Sequence, residues 1–312
     1  MIGLGYGAYL VSQQQMTLGD LVAFNVYLGM IIWPMFAIGE LINVMQRGNA
    51  SLDRVEETLD YEEDVKDPEQ AIKLDRPGQI GFSSVDFQYP TSTNINLSNI
   101  HVQIEQGQTL GIVGKTGSGK TTFIKQLLRE YPAGKGSLSL SGISIEEQTK
   151  DQVRNWIGYV PQDHVLFSRT VKQNILFGHP DATDQDIENA IRLSYFQKDL
   201  EMLPQGLETL VGEKGVALSG GQKQRISIAR ALIKNPEILL LDDSLSAVDA
   251  KTESKIIENI QRERNGKTTI ITTHRLSAIQ HADWILVLDD GVIIEEGTHE
   301  DLLEKEGWYK EK

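Results

Sequence analysis

The longest feature of the hydrophobic pattern is the run from Leu21 to Gly39, which carries no charged residue. At about 1.5 Å per residue it spans roughly 28 Å as a helix, close to the thickness of a hydrocarbon core. The pattern therefore predicts a membrane helix over about 21–45. Pro34 inside the run is tolerated more readily in such a helix than in a soluble one. A buried helix of a soluble domain is the competing reading. A secretory signal fits less well, because no positive charge precedes the run and no small-residue cleavage site closes it. The first Lys or Arg of the chain is Arg47, followed by Arg54, so the C-terminal end of the span is expected to face the cytoplasm. Ile2–Val11 is also apolar and reads as the end of a preceding helix, with 12–20 as a short external turn. One complete span is an odd amount of membrane protein, and the chain reads as part of a longer one. Glu40 and Asn43 lie either at a membrane cavity or on a helix that has left the membrane.

Beyond the span the pattern changes. Residues 56–75 are rich in acid and contain Pro68, and Arg76-Pro77-Gly78 follows; this composition predicts a linker over 61–78. Residues 80–89 alternate apolar and polar positions as a half-buried strand does, and 100–104, 109–113 and 136–145 predict further strands. From about 163 to 233 the pattern is polar and helical, with breaks at Pro180, Pro204 and Gly206. The apolar runs 238–241 and 269–272 predict two buried strands. Asp289-Asp290-Gly291 between 283–288 and 292–296 is a hairpin signal.

Composition narrows the function classes. The formal net charge is −14, and no basic stretch offsets it, which argues against a nucleic-acid partner. There is no cysteine, so disulfides, thiolate metal sites and thiol catalysis are excluded.

The chemistry centres on Gly114-Lys115-Thr116-Gly117-Ser118-Gly119-Lys120-Thr121, with Thr122 behind it. The motif stands between a predicted buried strand and a run of helical spacing, the context a phosphate-binding loop requires. Glycines let several backbone N–H groups face one anion, the helix N-terminus adds its positive dipole end, and Lys120 reaches the outer phosphates. Thr121 is placed to hold Mg²⁺. Downstream come Leu218-Ser219-Gly220-Gly221-Gln222, a helical run over 223–233, and Leu239-Leu-Leu-Asp242, a strand ending in an acid.

In this order the motifs resemble the nucleotide-binding domain of ABC transporters, over about residues 79–312. The resemblance implies an α/β fold: a P-loop NTPase core with an antiparallel β subdomain and a helical subdomain, preceded by a transmembrane helix within residues 1–60. It implies ATP and Mg²⁺ as cofactors. Tyr89 falls where the family stacks an aromatic on adenine, Gln162 where a glutamine touches the metal, and Asp242 where an acid holds Mg²⁺. Ser246, Ala247, Val248 and Asp249 match the loop that crosses between two nucleotide sites, and His274 the histidine at the γ-phosphate. Two such domains close head to tail, so Ser219 and the N–H groups of Gly220 and Gly221 would serve the ATP of a partner chain. The segments 17–20, 46–54 and 209–215 resemble the exporters in particular. They imply a half-transporter of the plasma membrane, with the nucleotide-binding domain in the cytoplasm and a small molecule, lipid or peptide as substrate.

One residue departs from the pattern. After Asp242 most active members carry glutamate, which orients or deprotonates the attacking water; here it is Asp243. The shorter side chain withdraws the carboxylate by up to about 1.5 Å, and a misplacement of about 1 Å can cost roughly 10²-fold in rate. A slow site on this chain's own phosphate loop is expected, and with it a heterodimer whose partner carries the glutamate. The alternatives are a homodimer in which aspartate suffices, a soluble ATPase of the same family, and a module that binds ATP without transporting.

Overall fold

The computed structural model describes residues 2–312 and divides into two compact units, one ending at Glu63 and one running from Asp64 to Lys312. The first unit is a pair of helices, α1 (Ile2–Ser12) and α2 (Leu18–Leu59). The helix α2 starts three residues before the uncharged run because Thr17 and Asp20 form a capping box: the Thr17 hydroxyl accepts from Asp20 N–H, and the Asp20 carboxylate accepts from Thr17 N–H at 3.1 Å. The T-x-x-D spacing is a start signal of the kind that satisfies otherwise orphaned donors. The helix then continues through Pro34 to Leu59, carrying Glu40 and Asn43 on one uninterrupted element. Within α2, Leu21 is buried and Asn25 half-buried, and every other side chain is exposed. Among the described residues α2 is the one helix long and apolar enough to cross a membrane. The two helices meet closely at Gly7, where a Cβ would lie 2.2 Å from the Leu21 side chain.

The second unit contains two sheets. The first is antiparallel, in the order β2 (Leu97–Ile104), β1 (Ile80–Phe87), β4 (Lys135–Leu140), β5 (Ile143–Ser144). The second has six strands in the order β10 (Val292–Gly297), β9 (Trp284–Asp289), β3 (Thr109–Gly114), β8 (Thr268–Thr273), β7 (Ile238–Asp242), β6 (Ile157–Val160). All neighbours in it are parallel except β9 and β10, the hairpin the sequence predicts. The helix α3 (Lys120–Leu127) follows β3, and α4 (Lys150–Trp156) leads into β6. A helical lobe of α5 (Val171–Leu176), α6 (Asp184–Leu193), α7 (Gln197–Met202) and α8 (Gly220–Leu232) stands between β6 and β7. The helix α9 (Ala250–Glu263) joins β7 to β8, and α10 (His299–Glu304) follows β10.

Strands buried on both faces need continuous apolar runs, with alternate residues entering different cores. Here Leu110, Ile112, Leu240, Leu286 and Leu288 enter a core shared with the antiparallel sheet and α3, where Phe82 stacks on Phe123 at 4.2 Å. Their neighbours Val113, Leu239, Leu241, Ile285 and Val287 enter a second core against α8 and α9. A third core fills the helical lobe.

The acidic stretch predicted as a linker has no regular secondary structure from Asp64 to Gln79, yet it is fastened to the second unit. Arg129, itself buried, donates to the carbonyls of Lys66 and Gln148 and to Asp67. Lys150 Nζ donates to the Val65 carbonyl at 2.9 Å, and Ile72 N–H to the Glu147 carbonyl at 2.8 Å. The long side chains that hold it come from the turn after α3 and the start of α4, far away in sequence.

Candidate functional site

The site lies at the C-terminal ends of β3, β7 and β8, where an open parallel sheet places its binding crevice. A cavity of about 290 Å³ is lined there by residues 116–122, Gln162, Asp242, Asp243 and His274, all expected from the sequence, and by Asn96, which was not.

The loop from Gly114 to Gly119 has the shape it has because two of its glycines cannot be replaced. A Cβ on Gly114 would lie 2.1 Å from the Leu288 carbonyl oxygen, and Gly119 caps α3 with φ of 103°, in the left-handed region. Lys120, first residue of α3, folds back to donate to the carbonyls of Gly114 at 2.8 Å and Lys115 at 2.7 Å. Burial pushes its pKa down, while the nearby charges of Asp243 and Asp242 push the other way. Lys115 points elsewhere; its ammonium is exposed and 3.8 Å from Asp289.

Asp242 ends β7 and is buried. Its Oδ1 accepts from Thr121 Oγ1 at 3.1 Å and Thr272 Oγ1 at 2.7 Å, and its Oδ2 from Tyr159 at 3.4 Å. Burial, then the charge of Asp242, pushes the Tyr159 phenol well above its usual range, so it remains a donor. Thr121, Asp242 and Gln162 line one cavity, and each has a side-chain oxygen of the kind a small hard dication takes.

Asp243 has φ of 45°, a left-handed conformation for a residue with a Cβ. Its N–H is held by the Thr272 carbonyl at 3.0 Å and hydroxyl at 3.1 Å. Its Oδ1 lies 2.9 Å from Nδ1 of His274, which is half exposed at the end of β8. The two residues thus form a pair, a contact between sequence positions 31 apart that no local pattern announces.

Besides Gly114 and Lys115, three expected groups lie outside the cavity lining. Tyr89 packs edge-on against Phe87 at 4.9 Å and Tyr131 at 4.8 Å, and its hydroxyl bonds to Thr122 at 3.1 Å. Ser219 caps α8: its hydroxyl accepts from Gln222 N–H at 3.3 Å, and Gln222 Oε1 accepts from Ser219 N–H at 2.9 Å. Leu218 is buried, while Ser219 and Gly220 are exposed and Gly221 half-buried. The buried Asp199 holds this turn by accepting from Gln222 at 3.3 Å and Arg225 at 2.7 Å. The 246–249 loop links the two regions. Ser246 Oγ donates to the Asp243 carbonyl at 2.9 Å, Ala247 N–H to Gln224 of α8 at 3.2 Å, and Asp249 caps α9.

Comparison with known proteins places this geometry. Residues 97–246 match the family described as ABC transporter. Over all 312 residues the chain is 68% identical to the Bacillus subtilis (strain 168) protein named "Probable multidrug resistance ABC transporter ATP-binding/permease protein YheI", of which it covers 53%. It is 42% identical over 311 residues to the Escherichia coli (strain K12) "Multidrug resistance-like ATP-binding protein MdlA", covering 100% of this chain and 52% of that one. The solved structure of a bacterial Atm1-family ABC exporter with ATP bound superposes with a TM-score of 0.81 at 35% identity, covering 99% of this chain and 55% of the other. The chain therefore spans about half the length of the relatives it matches. With phosphate loop, Asp242, Ser219 turn and His274 assembled on this fold, the chain belongs to the ABC transporter family, whose ATP-binding domains hydrolyse ATP.

Proposed function

We propose that this chain is the ATP-binding portion of a half-transporter that powers export of a small molecule, lipid or peptide across the plasma membrane. Its own phosphate-loop site turns over slowly, and it works in a heterodimer with a partner that carries glutamate in place of Asp243. In this reading α2 is the last membrane helix, residues 79–312 are the nucleotide-binding domain, and that domain lies in the cytoplasm, the side on which Arg47 and Arg54 follow the uncharged run along α2.

The observation that carries the reading is the Asp243–His274 contact. A carboxylate that is to orient a water must reach past the loop into the cavity. The Asp243 side chain lines that cavity one methylene short of a glutamate, and its Oδ1 lies 2.9 Å from the imidazole beside it. A shortfall of about 1 Å at this position corresponds to roughly 2.7 kcal/mol of barrier. Binding is unaffected by that shortfall. The α3 N-terminus and Lys120 would face the outer phosphates, and His274 would meet the last one; to bridge it to Asp243, both ring nitrogens would have to donate. Thr121, Asp242 and Gln162 would hold Mg²⁺, which neutralises charge on the phosphates. Tyr89, bonded to Thr122, would stack on the base. Ser219 and Gly220 are exposed and Gly221 half-buried at the start of α8, where they would serve the partner's nucleotide.

The test is ATP turnover by the full chain, alone and mixed with a glutamate-bearing homologue from the same genome. Fast turnover that appears only in the mixture, above the slow rate of the chain alone, and that survives Asp243→Ala in this chain and is lost with Ser219→Ala supports the heterodimer. Full activity of the chain alone, dependent on Asp243, would make it a homodimeric ATPase.

A further inference from the structure

Arg275 follows His274, and its guanidinium turns back beneath the loop that leaves Asp243. One end of it donates to the Ser246 carbonyl. The other donates to the Val248 carbonyl at 3.4 Å and to Glu253 at 3.2 Å. Glu253, in the first turn of α9, is 2% exposed, and its second oxygen accepts from the Ser277 hydroxyl at 2.7 Å. Both oxygens of a desolvated carboxylate are therefore used, and Arg275 is the cation that neutralises it.

A buried ion pair more often serves stability alone, so the pattern of partners decides the matter. The partners of Arg275 besides Glu253 are two main-chain carbonyls of one short loop, which a flat fork of donors fixes in mutual register. That loop is tied in turn to Asp243 through Ser246 Oγ, and Asp243 meets His274, the covalent neighbour of Arg275. The links close a ring: Asp243 to Ser246, Ser246 to Arg275, Arg275 to His274, His274 to Asp243. A ring of this size leaves the Asp243–His274 contact little freedom of its own. It also over-determines the left-handed backbone at Asp243, the condition under which such strain persists at a working site. On the opposite side of the loop the buried Gln224 of α8 holds Ala247 N–H, so the same segment is gripped from the helix that begins at Ser219.

We infer that Arg275, anchored by Glu253, is a positioning residue for the Asp243–His274 pair, acting through the 246–248 backbone. The inference rests on the reading that the cavity binds and hydrolyses MgATP. Arg275→Lys tests it, because a single ammonium keeps a cation beside Glu253 but cannot serve both carbonyls. In the full chain, kcat for MgATP is expected to fall about ten-fold with KM changed by less than about two-fold, the signature of an interaction used after binding. The paired variant Arg275→Met with Glu253→Gln removes both buried charges together and is expected to show the same kcat loss if Arg275→Lys proves poorly folded. In an Asp243→Ala background Arg275→Lys should cost nothing more, since residues acting as one unit are not additive. Amide exchange at Ala247 should quicken by about ten-fold in Arg275→Lys, a readout that needs no turnover. Native kcat in the Arg275 variants, unchanged Ala247 exchange, or a full further loss on top of Asp243→Ala would each overturn the role. Failure of the ATPase reading looks different: turnover of the native chain would ignore Lys120→Ala, while Ala247 exchange would still decide whether Arg275 grips the loop.

Discussion

The phosphate loop and the Ser219 turn use the same device, a helix N-terminus offering N–H groups at its tip, and they complete it in opposite ways. At the phosphate loop, partners from four strands converge on one cavity: Lys120 is folded onto the loop, Asp242 accepts three hydroxyls, and Asp243 meets His274. At the Ser219 turn the polar side chains satisfy one another through a capping box and the Asp199 support, and Ser219 and Gly220 at the tip stay exposed. The first region carries its own chemistry. Under the proposed reading, the short side chain of Asp243 affects only the site built on this chain, and the Ser219 turn keeps the groups it would offer a partner.

The comparison can be broken or sharpened by substitution. The largest effect is expected from Gly114→Ala, whose methyl would press on the Leu288 carbonyl; MgATP affinity by equilibrium binding should fall at least about 10³-fold, or about 4 kcal/mol. Next comes Asp243→Glu, which restores the missing methylene and should raise turnover of the own site by up to about 10²-fold with little change in KM. An unchanged rate would remove the asymmetry argument. Ser219→Ala should lower stability in denaturant melts by about 1 kcal/mol through the lost cap. It should leave MgATP binding to the chain's own cavity untouched, and a loss of that binding would show that the two regions are not separable. Tyr89→Phe is expected to do least: it keeps the ring and loses only the half-buried bond to Thr122, about 0.5–1 kcal/mol of stability with affinity nearly unchanged.

Much of this was legible in the chain itself. The phosphate loop, the acid ending β7, the Ser219 turn and the 289–291 hairpin are local patterns, and local patterns fix local geometry. The two-faced burial of β3, β7 and β9 follows from their continuous apolar runs. The start of α2 at Leu18 was legible too, in the spacing of Thr17 and Asp20, although the uncharged run draws the eye to Leu21. What escaped the sequence is the polar scaffolding: Arg275 with Glu253, Gln224 with Ala247, Asp199 with Arg225, Arg129 with the 64–78 stretch. Each joins charged or amide groups more than 20 residues apart. On its own, a buried Glu on an amphipathic helix or an Arg after a histidine reads as an exposed charge, since neither residue type is usually buried without a partner. The partner is supplied by the fold, and periodicity does not encode it.

The hairpin at the end of the large sheet has a consequence for how copies of the chain can associate. A sheet whose last strand is left bare is a template for stacking onto another sheet, and thus for aggregation. Here β10 presents Glu295 and Glu296, and the C-terminal segment folds over it. Lys305 bonds to the Glu296 carbonyl at 3.0 Å, Glu295 accepts from the backbone N–H groups of Trp308 and Tyr309, and α10 lies against the strand. The opposite outer strand, β6, lies under α8. With its β10 border fastened by the C-terminal segment, the sheet is discouraged from strand-to-strand addition on that side.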